Sequence, residues 1–162
     1  HGTTQGCLLA LDALASDGIR CDRVLDVGCG TAVLAMAAAR LWSKTTLASD
    51  VDPVAVEVAQ ANVAANGLLS RVSVLEANGL QSPQIVDRGP YDLIFANILM
   101  GPLMEMAEEM AAQTVCGGFA ILSGLLHDQA ALIFTHFSQL GYDQVREERI
   151  GEWVALTLRK SA

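Results

Sequence analysis

Residues 23–33 read Arg23-Val24-Leu25-Asp26-Val27-Gly28-Cys29-Gly30-Thr31-Ala32-Val33, an apolar run that passes through one carboxylate into two glycines. The run predicts a strand over 23–27. The glycines permit a tight turn in which the backbone can approach a ligand closely. Ala, Leu and Met dominate the stretch that follows, and a helix is expected over 31–42. A strand turning through glycines into a helix is the first half of a strand–helix–strand unit.

The pattern repeats on the C-terminal side. A strand over 45–49 ends at Asp50. Asp52-Pro53 then opens a helix, with Asp as the cap and Pro in the first helical position. Asn66-Gly67 supplies its stop signal. Further strands are expected over 71–75, 91–96 and 119–123, and helices over 102–113 and 127–140. The polar stretch 78–90 reads as a loop. Toward the N-terminus, Leu8, Leu9, Leu11 and Leu14 mark a helix over 5–15, ended by Asp17-Gly18. Strands over 143–149 and 152–158 flank Gly151 and close the chain as a hairpin. This alternation implies an α/β fold: Rossmann-like and doubly wound, with a mostly parallel seven-stranded sheet and a C-terminal antiparallel hairpin.

Composition narrows the function. A chain of 162 residues, 52% of them hydrophobic, fits one domain with a sizeable core. No apolar run reaches the ~18–20 residues that cross a bilayer, so no membrane role is expected. A net charge of −8 argues against direct nucleic-acid binding and suits a basic substrate, although a merely soluble acidic surface fits the charge as well. Cys7, Cys21, Cys29 and Cys116 form no Cys-x-x-Cys pair, and no His lies at zinc-ligand spacing. Reduced cysteines, a cytoplasmic location and no metal are expected.

In such sheets ligands bind beyond the carboxyl ends of the strands. Asp26, Gly28, Gly30, Asp50, Glu76, Asn78 and Asn97 all fall there. Val33 stands where the dinucleotide fingerprint Gly-x-Gly-x-x-Gly needs its third glycine. Asp26 would oppose a pyrophosphate, and no Lys or Arg lies between positions 24 and 39 to offset one. The same carboxylate suits the cationic amino-acid end of S-adenosylmethionine. Asp50, 22 residues after Gly28, can accept from the ribose hydroxyls of either cofactor. Glu76 and Asn78 lie within reach of an adenine, with an ordinary loop role equally open.

These residues resemble a class I S-adenosylmethionine-dependent methyltransferase. Ala96-Asn97-Ile98-Leu99-Met100-Gly101-Pro102-Leu103 narrows the resemblance to the methyltransferase of large-subunit ribosomal protein eleven. His1-Gly2-Thr3-Thr4, Leu122-Ser123-Gly124-Leu125-Leu126 and Gly151-Glu152-Trp153 are similar to runs of that family. The resemblance implies that Thr4, Gly28, Asp50 and Asn97 contact the cofactor, while the physical reading adds Asp26 and Gly30. A helix N-cap is the other reading of Thr3-Thr4. Asn97 is expected to be the catalytic residue, positioning an amine of a protein substrate for N-methylation, and the resemblance implies that the substrate is a ribosomal protein. Ile98-Leu99, where a Pro-Pro would point to amide or adenine nitrogen, favours an aliphatic amine (a lysine side chain or an N-terminus).

The family usually has glycine at the position of Ala32 and alanine at that of Met100. Its Phe-Gly-Thr-Gly run before His1 and its N-terminal recognition domain have no counterpart here. Residues 1–162 are therefore expected to be the catalytic domain alone. Other readings remain open: a methyltransferase for a small molecule or another protein, and a cofactor-binding module without catalysis. Val33 and Asp26 oppose a nicotinamide dehydrogenase.

Overall fold

The computed structural model describes residues 1–42 and 45–161. Among them, the elements in chain order are α1 (Gly2–Ser16), β1 (Val24–Val27), α2 (Val33–Trp42), β2 (Thr46–Asp50), α3 (Pro53–Ala65), β3 (Val72–Glu76), α4 (Pro83–Arg88), β4 (Tyr91–Asn97), α5 (Met100–Ala112), β5 (Thr114–Leu126), α6 (His127–Ser138), β6 (Tyr142–Ile150) and β7 (Trp153–Lys160). The strands form one seven-stranded sheet in the order β3-β2-β1-β4-β5-β7-β6. β1 to β5 pair in parallel, and β7 runs antiparallel to β5 and β6. The expected α/β architecture and closing hairpin are both present.

Side-chain alternation sorts the helices onto two faces. Leu93 and Phe95 of β4 pack with Cys7, Leu11 and Leu14 of α1 and Leu34 and Ala38 of α2. Ile94 and Ala96 pack with Leu103 and Met110 of α5 and Ile133 and Phe137 of α6. The other side of α2 joins α3 and β2 through Ala35, Ala39, Ala48, Ala59 and Val63. These small residues let helix and sheet approach closely. Strand order reverses between β1 and β4, where a crevice opens at the carboxyl edge.

Local chemistry explains several boundaries. Asp52 caps α3 by accepting from the Val54 N–H at 2.9 Å, as its sequence position implies. The stretch 78–90 is not all loop, because α4 occupies Pro83–Arg88. That helix is six residues long with Ile85 buried, too short to show a period, and the Tyr91 hydroxyl donates to the Ile85 carbonyl at 2.6 Å. α5 starts at Met100 rather than at Pro102, since Pro in a first turn lacks only a hydrogen that would find no partner there. β5 extends well beyond 119–123 on both sides, because β4 and β7 flank it. α1 begins at Gly2, not at residue 5. Its cap is His1, whose side chain accepts from the Thr3 N–H, so Thr3 and Thr4 are not the cap.

Candidate functional site

β1 delivers the turn and β2 holds it. The Cys29 N–H donates to the Ser49 carbonyl at 2.9 Å, and the Gly30 N–H donates to Asp50 Oδ2 at 2.9 Å. Gly28 has φ +67°, and a Cβ built on it would lie 2.5 Å from Ile98 Cγ2. A side chain there would meet both an unfavourable backbone region and a β-branched neighbour. Ala32 has φ +66° and is wholly buried, so a residue with a Cβ occupies a left-handed position that glycine fits more readily. α2 nevertheless begins at the next residue, Val33.

The cleft beside this turn measures about 380 Å³ and is lined by Gly28, Asp50, Val51, Ala77, Asn78, Ile98 and Leu99 among others. That volume lies in the range of small-molecule sites. No Lys or Arg lines it among the described residues, and Asp50 and Glu105 do. Gly28 and Asp50, two of the expected residues, therefore meet at the cleft. Of the pair expected near an adenine, Asn78 lines it and Glu76 does not.

Asp50 has a second task. Its Oδ1 accepts from the Asp52 N–H at 3.0 Å while its Oδ2 takes the Gly30 N–H, so one carboxylate ties together the two loops that frame the cleft. Oxygen lone pairs remain for a ligand hydroxyl.

Asp26, Gly30, Thr4 and Asn97 sit behind or beside the lining rather than in it. Asp26 is buried on the α1–α2 face, where its Oδ2 accepts from the Ala35 N–H at 3.1 Å in the first turn of α2. Burial pushes its carboxyl up to about 7, the Ala35 hydrogen bond opposes this, and the charge of Asp50 adds to it. Asn97 ends β4 with its Nδ2 donating to Thr3 Oγ1 at 3.4 Å. Its Oδ1 lies 3.4 Å, and the Ile98 carbonyl oxygen 2.6 Å, from where a Cβ on Gly124 would stand. Both oxygens pack against Gly124, whose φ is +81°, and leave no room there even for a methyl group.

Ile98 and Leu99, the pair that favours an aliphatic amine, line the cleft with two apolar residues that the sequence did not single out, Val51 and Met106. Leu99 is 74% exposed at the N-terminus of α5, on the rim of the cleft. Glu109 was missed too. It accepts from the Leu80 N–H at 3.3 Å and braces the loop after β3 against α5. Among the described residues there is no cluster of His, Cys, Asp or Glu suited to a metal ion, and no helix is long and apolar enough to cross a membrane.

A sheet of this order, with a glycine turn at its switch point and a carboxylate closing the neighbouring strand, defines a class I methyltransferase fold. The family of ribosomal protein L11 methyltransferase matches residues 1–161. The ribosomal protein L11 methyltransferase of Bradyrhizobium diazoefficiens is 44% identical over 160 residues, covering 99% of this chain and 54% of that protein. That of Agrobacterium fabrum is 39% identical over 161 residues, covering 99% of this chain and 54% of its own length. A solved ribosomal protein L11 methylase from Lactobacillus delbrueckii subsp. bulgaricus has a TM-score of 0.88 at 27% identity, covering 100% of this chain and 80% of that one. The chain belongs to the ribosomal protein L11 methyltransferase family. It spans about half the length of the curated relatives it matches.

Proposed function

We propose that this chain transfers methyl groups from S-adenosylmethionine to amines of a protein, namely ribosomal protein L11. The observation that carries the reading is the place of Asn97 at the end of β4, its Oδ1 without a hydrogen-bond donor among the described residues, beside a cleft framed by Gly28 and Asp50. The residues fit S-adenosylmethionine in chemistry as well as space. A cleft with carboxylates and no lining cation suits a sulfonium and an ammonium better than a pyrophosphate. Asp50 would hold the ribose, Gly28 would admit the cofactor against the backbone, Asn78 would border the adenine, and Thr4, Asp26 and Gly30 would complete the amino-acid end. The bound cofactor supplies an electrophilic methyl group on sulfur.

The chain's own task is to place an amine and keep it neutral. A free lysine has a pKa of about 10.4 and must lose a proton before it can attack. Desolvation in the cleft lowers that pKa, and Asn97 Oδ1 with the Ile98 oxygen accepts the remaining N–H groups. Alignment then does the work without a dedicated base.

Residues 1–162 act in this reading as the catalytic domain, and recognition of the ribosomal protein draws on the part of the relatives' length that this chain does not match. Action on a ribosomal protein carries a cytoplasmic location with it. Calorimetric titration with S-adenosylmethionine and with NAD tests the cofactor, and only the first is expected to bind. Methyl transfer to purified L11 tests the substrate, using this chain alone and fused to the N-terminal half of the Bradyrhizobium relative. Transfer to free amino acids but not to L11 in either form would overturn the substrate assignment.

A further inference from the structure

Beneath Asn97 lies a set of polar contacts that cofactor binding does not explain. Asn97 falls on the same sheet face as Leu93 and Phe95, the face that α1 covers. There its Nδ2 donates to Thr3 Oγ1 at 3.4 Å. His1 decides which way the Thr3 hydroxyl points. The Thr3 N–H donates to His1 Nδ1 at 3.2 Å, so that nitrogen carries a lone pair and not a proton. Thr3 Oγ1 lies 2.9 Å from the same nitrogen. An unprotonated Nδ1 cannot donate to the hydroxyl, so the hydroxyl's lone pairs stay open to Asn97 Nδ2.

Thr3 is itself held in place. It is buried, and its carbonyl accepts from the Ser123 hydroxyl at 3.1 Å. Ser123 is the register partner of Asn97 on the adjacent strand. The first turn of α1 and the ends of β4 and β5 thus meet at one threonine. Capping does not need its hydroxyl, because His1 caps α1 through the Thr3 backbone N–H.

An asparagine amide presents an acceptor on one side and a donor on the other. Only the acceptor side suits an amine that must donate its hydrogens. We propose that Thr3 is a positioning residue: its hydroxyl takes the Nδ2 hydrogen of Asn97 and so fixes the amide in the orientation that leaves Oδ1 free to accept from the incoming amine. This rests on the reading of Asn97 as the amine acceptor.

The test is a set of four variants, Thr3→Val, Thr3→Ser, Asn97→Ala and the Thr3→Val/Asn97→Ala double variant, assayed with S-adenosylmethionine and L11. Thr3→Val is expected to lower kcat about tenfold, the rate equivalent of one ordinary hydrogen bond. Cofactor Kd should stay within about twofold, because the hydroxyl acts on the incoming amine's partner and not on the cofactor. Thr3→Ser should restore most of the rate, and Thr3→Val should cost nothing further on the Asn97→Ala background. Full activity of Thr3→Val beside a crippled Asn97→Ala would overturn the role of Thr3 and leave Asn97 standing. The same loss from Thr3→Val on both backgrounds would also overturn it, since the hydroxyl would then act on the fold. Full activity of Asn97→Ala would remove the reading of Asn97 and the positioning role with it. Should Thr3→Val fail to fold, the Asn97 side-chain amide decides by nitrogen-15 NMR. Slow hydrogen exchange in the parent and in Thr3→Ser supports the contact, and exchange at the free-amide rate in the parent refutes it.

Discussion

The two sides of the cleft are held by different means. Around the glycine turn the bonds are short in sequence and run from backbone N–H groups to carboxylates: Gly30 to Asp50 across 20 residues, and Ala35 to Asp26 across 9. Around Asn97 they are long in sequence and involve neutral side chains: Asn97 to Thr3 across 94 residues, and Ser123 to Thr3 across 120. On the first side the groups that would meet the cofactor also hold the turn, so binding and folding are entangled there. On the second side the side chain proposed to accept from the amine is held by other residues, and chemistry should be alterable there with less damage to the fold.

Gly28 is where the two sides touch, and it should give the largest effect. Gly28→Val places a branched side chain at φ +67° against Ile98. Cofactor binding is expected to vanish in calorimetry, and the left-handed backbone should cost about 1–2 kcal/mol of stability. Normal binding by a folded variant would mean that the turn is structural only.

Asn97→Ala sharpens the contrast. It should lower the methylation rate about a hundredfold or more, equivalent to ~2.7 kcal/mol in the transition state. Cofactor affinity should fall far less, because contacts at the turn remain. Equal losses in rate and affinity would move Asn97 to the cofactor side of the comparison.

Asp50→Ala should show the entanglement directly. Cofactor affinity is expected to fall at least about tenfold through lost hydrogen bonds. The sequence alone would leave the melting temperature of the ligand-free protein almost unchanged. The structure implies a drop, because the Gly30 and Asp52 N–H groups lose their acceptor, a cost of roughly 1–3 kcal/mol. An unchanged melting temperature would show that water replaces both bonds.

Asp26→Asn tests the same side through pH. The carboxyl rises from 3.8 to about 7 on folding, so the folded state binds the proton more tightly than the unfolded one. Stability from this group is full below about pH 4 and is lost as pH climbs to about 7. Asp26→Asn should therefore be nearly neutral at pH 4 and stabilising at pH 8, by up to roughly 4 kcal/mol. A cationic ligand should favour ionised Asp26, so the wild-type affinity for S-adenosylmethionine should rise through pH 7 and the variant's should not. Parallel pH profiles for the two proteins in both stability and binding would remove Asp26 from this account.

The smallest effect is expected at Ala32. Replacing it by glycine relieves a left-handed strain of ~1–2 kcal/mol. It also removes a buried methyl worth ~0.8 kcal/mol and frees the unfolded chain by ~0.4–1 kcal/mol. These nearly cancel, so thermal melts should move by only a degree or two. A large loss would mean that packing of the methyl, and not backbone strain, governs the start of α2.

The alternation of strands and helices, the glycine turn, the Asp52 cap and the final hairpin were all legible in the residues. Each depends on propensity or periodicity within a short window. The six-residue α4 was not, since so short a helix needs only Pro83 to start it and one buried side chain, Ile85, to seat it. Val51 and Met106 of the apolar wall were not legible either. In a sequence, a cleft residue such as Val51 is indistinguishable from a core valine, and only its exposure marks it out.

By itself the sequence determined which residue types would arrive at the carboxyl edge, because strand ends and their polar residues are local properties. Tertiary structure alone decided that Asp50 would bind two loops at once. It also decided that Asp26 would be buried with its carboxyl raised, and that Thr3, Asn97 and Ser123 would share hydrogen bonds. The reason is physical: a hydrogen bond or a desolvated charge depends on which distant segments the sheet brings together, and no local pattern along the chain encodes that proximity.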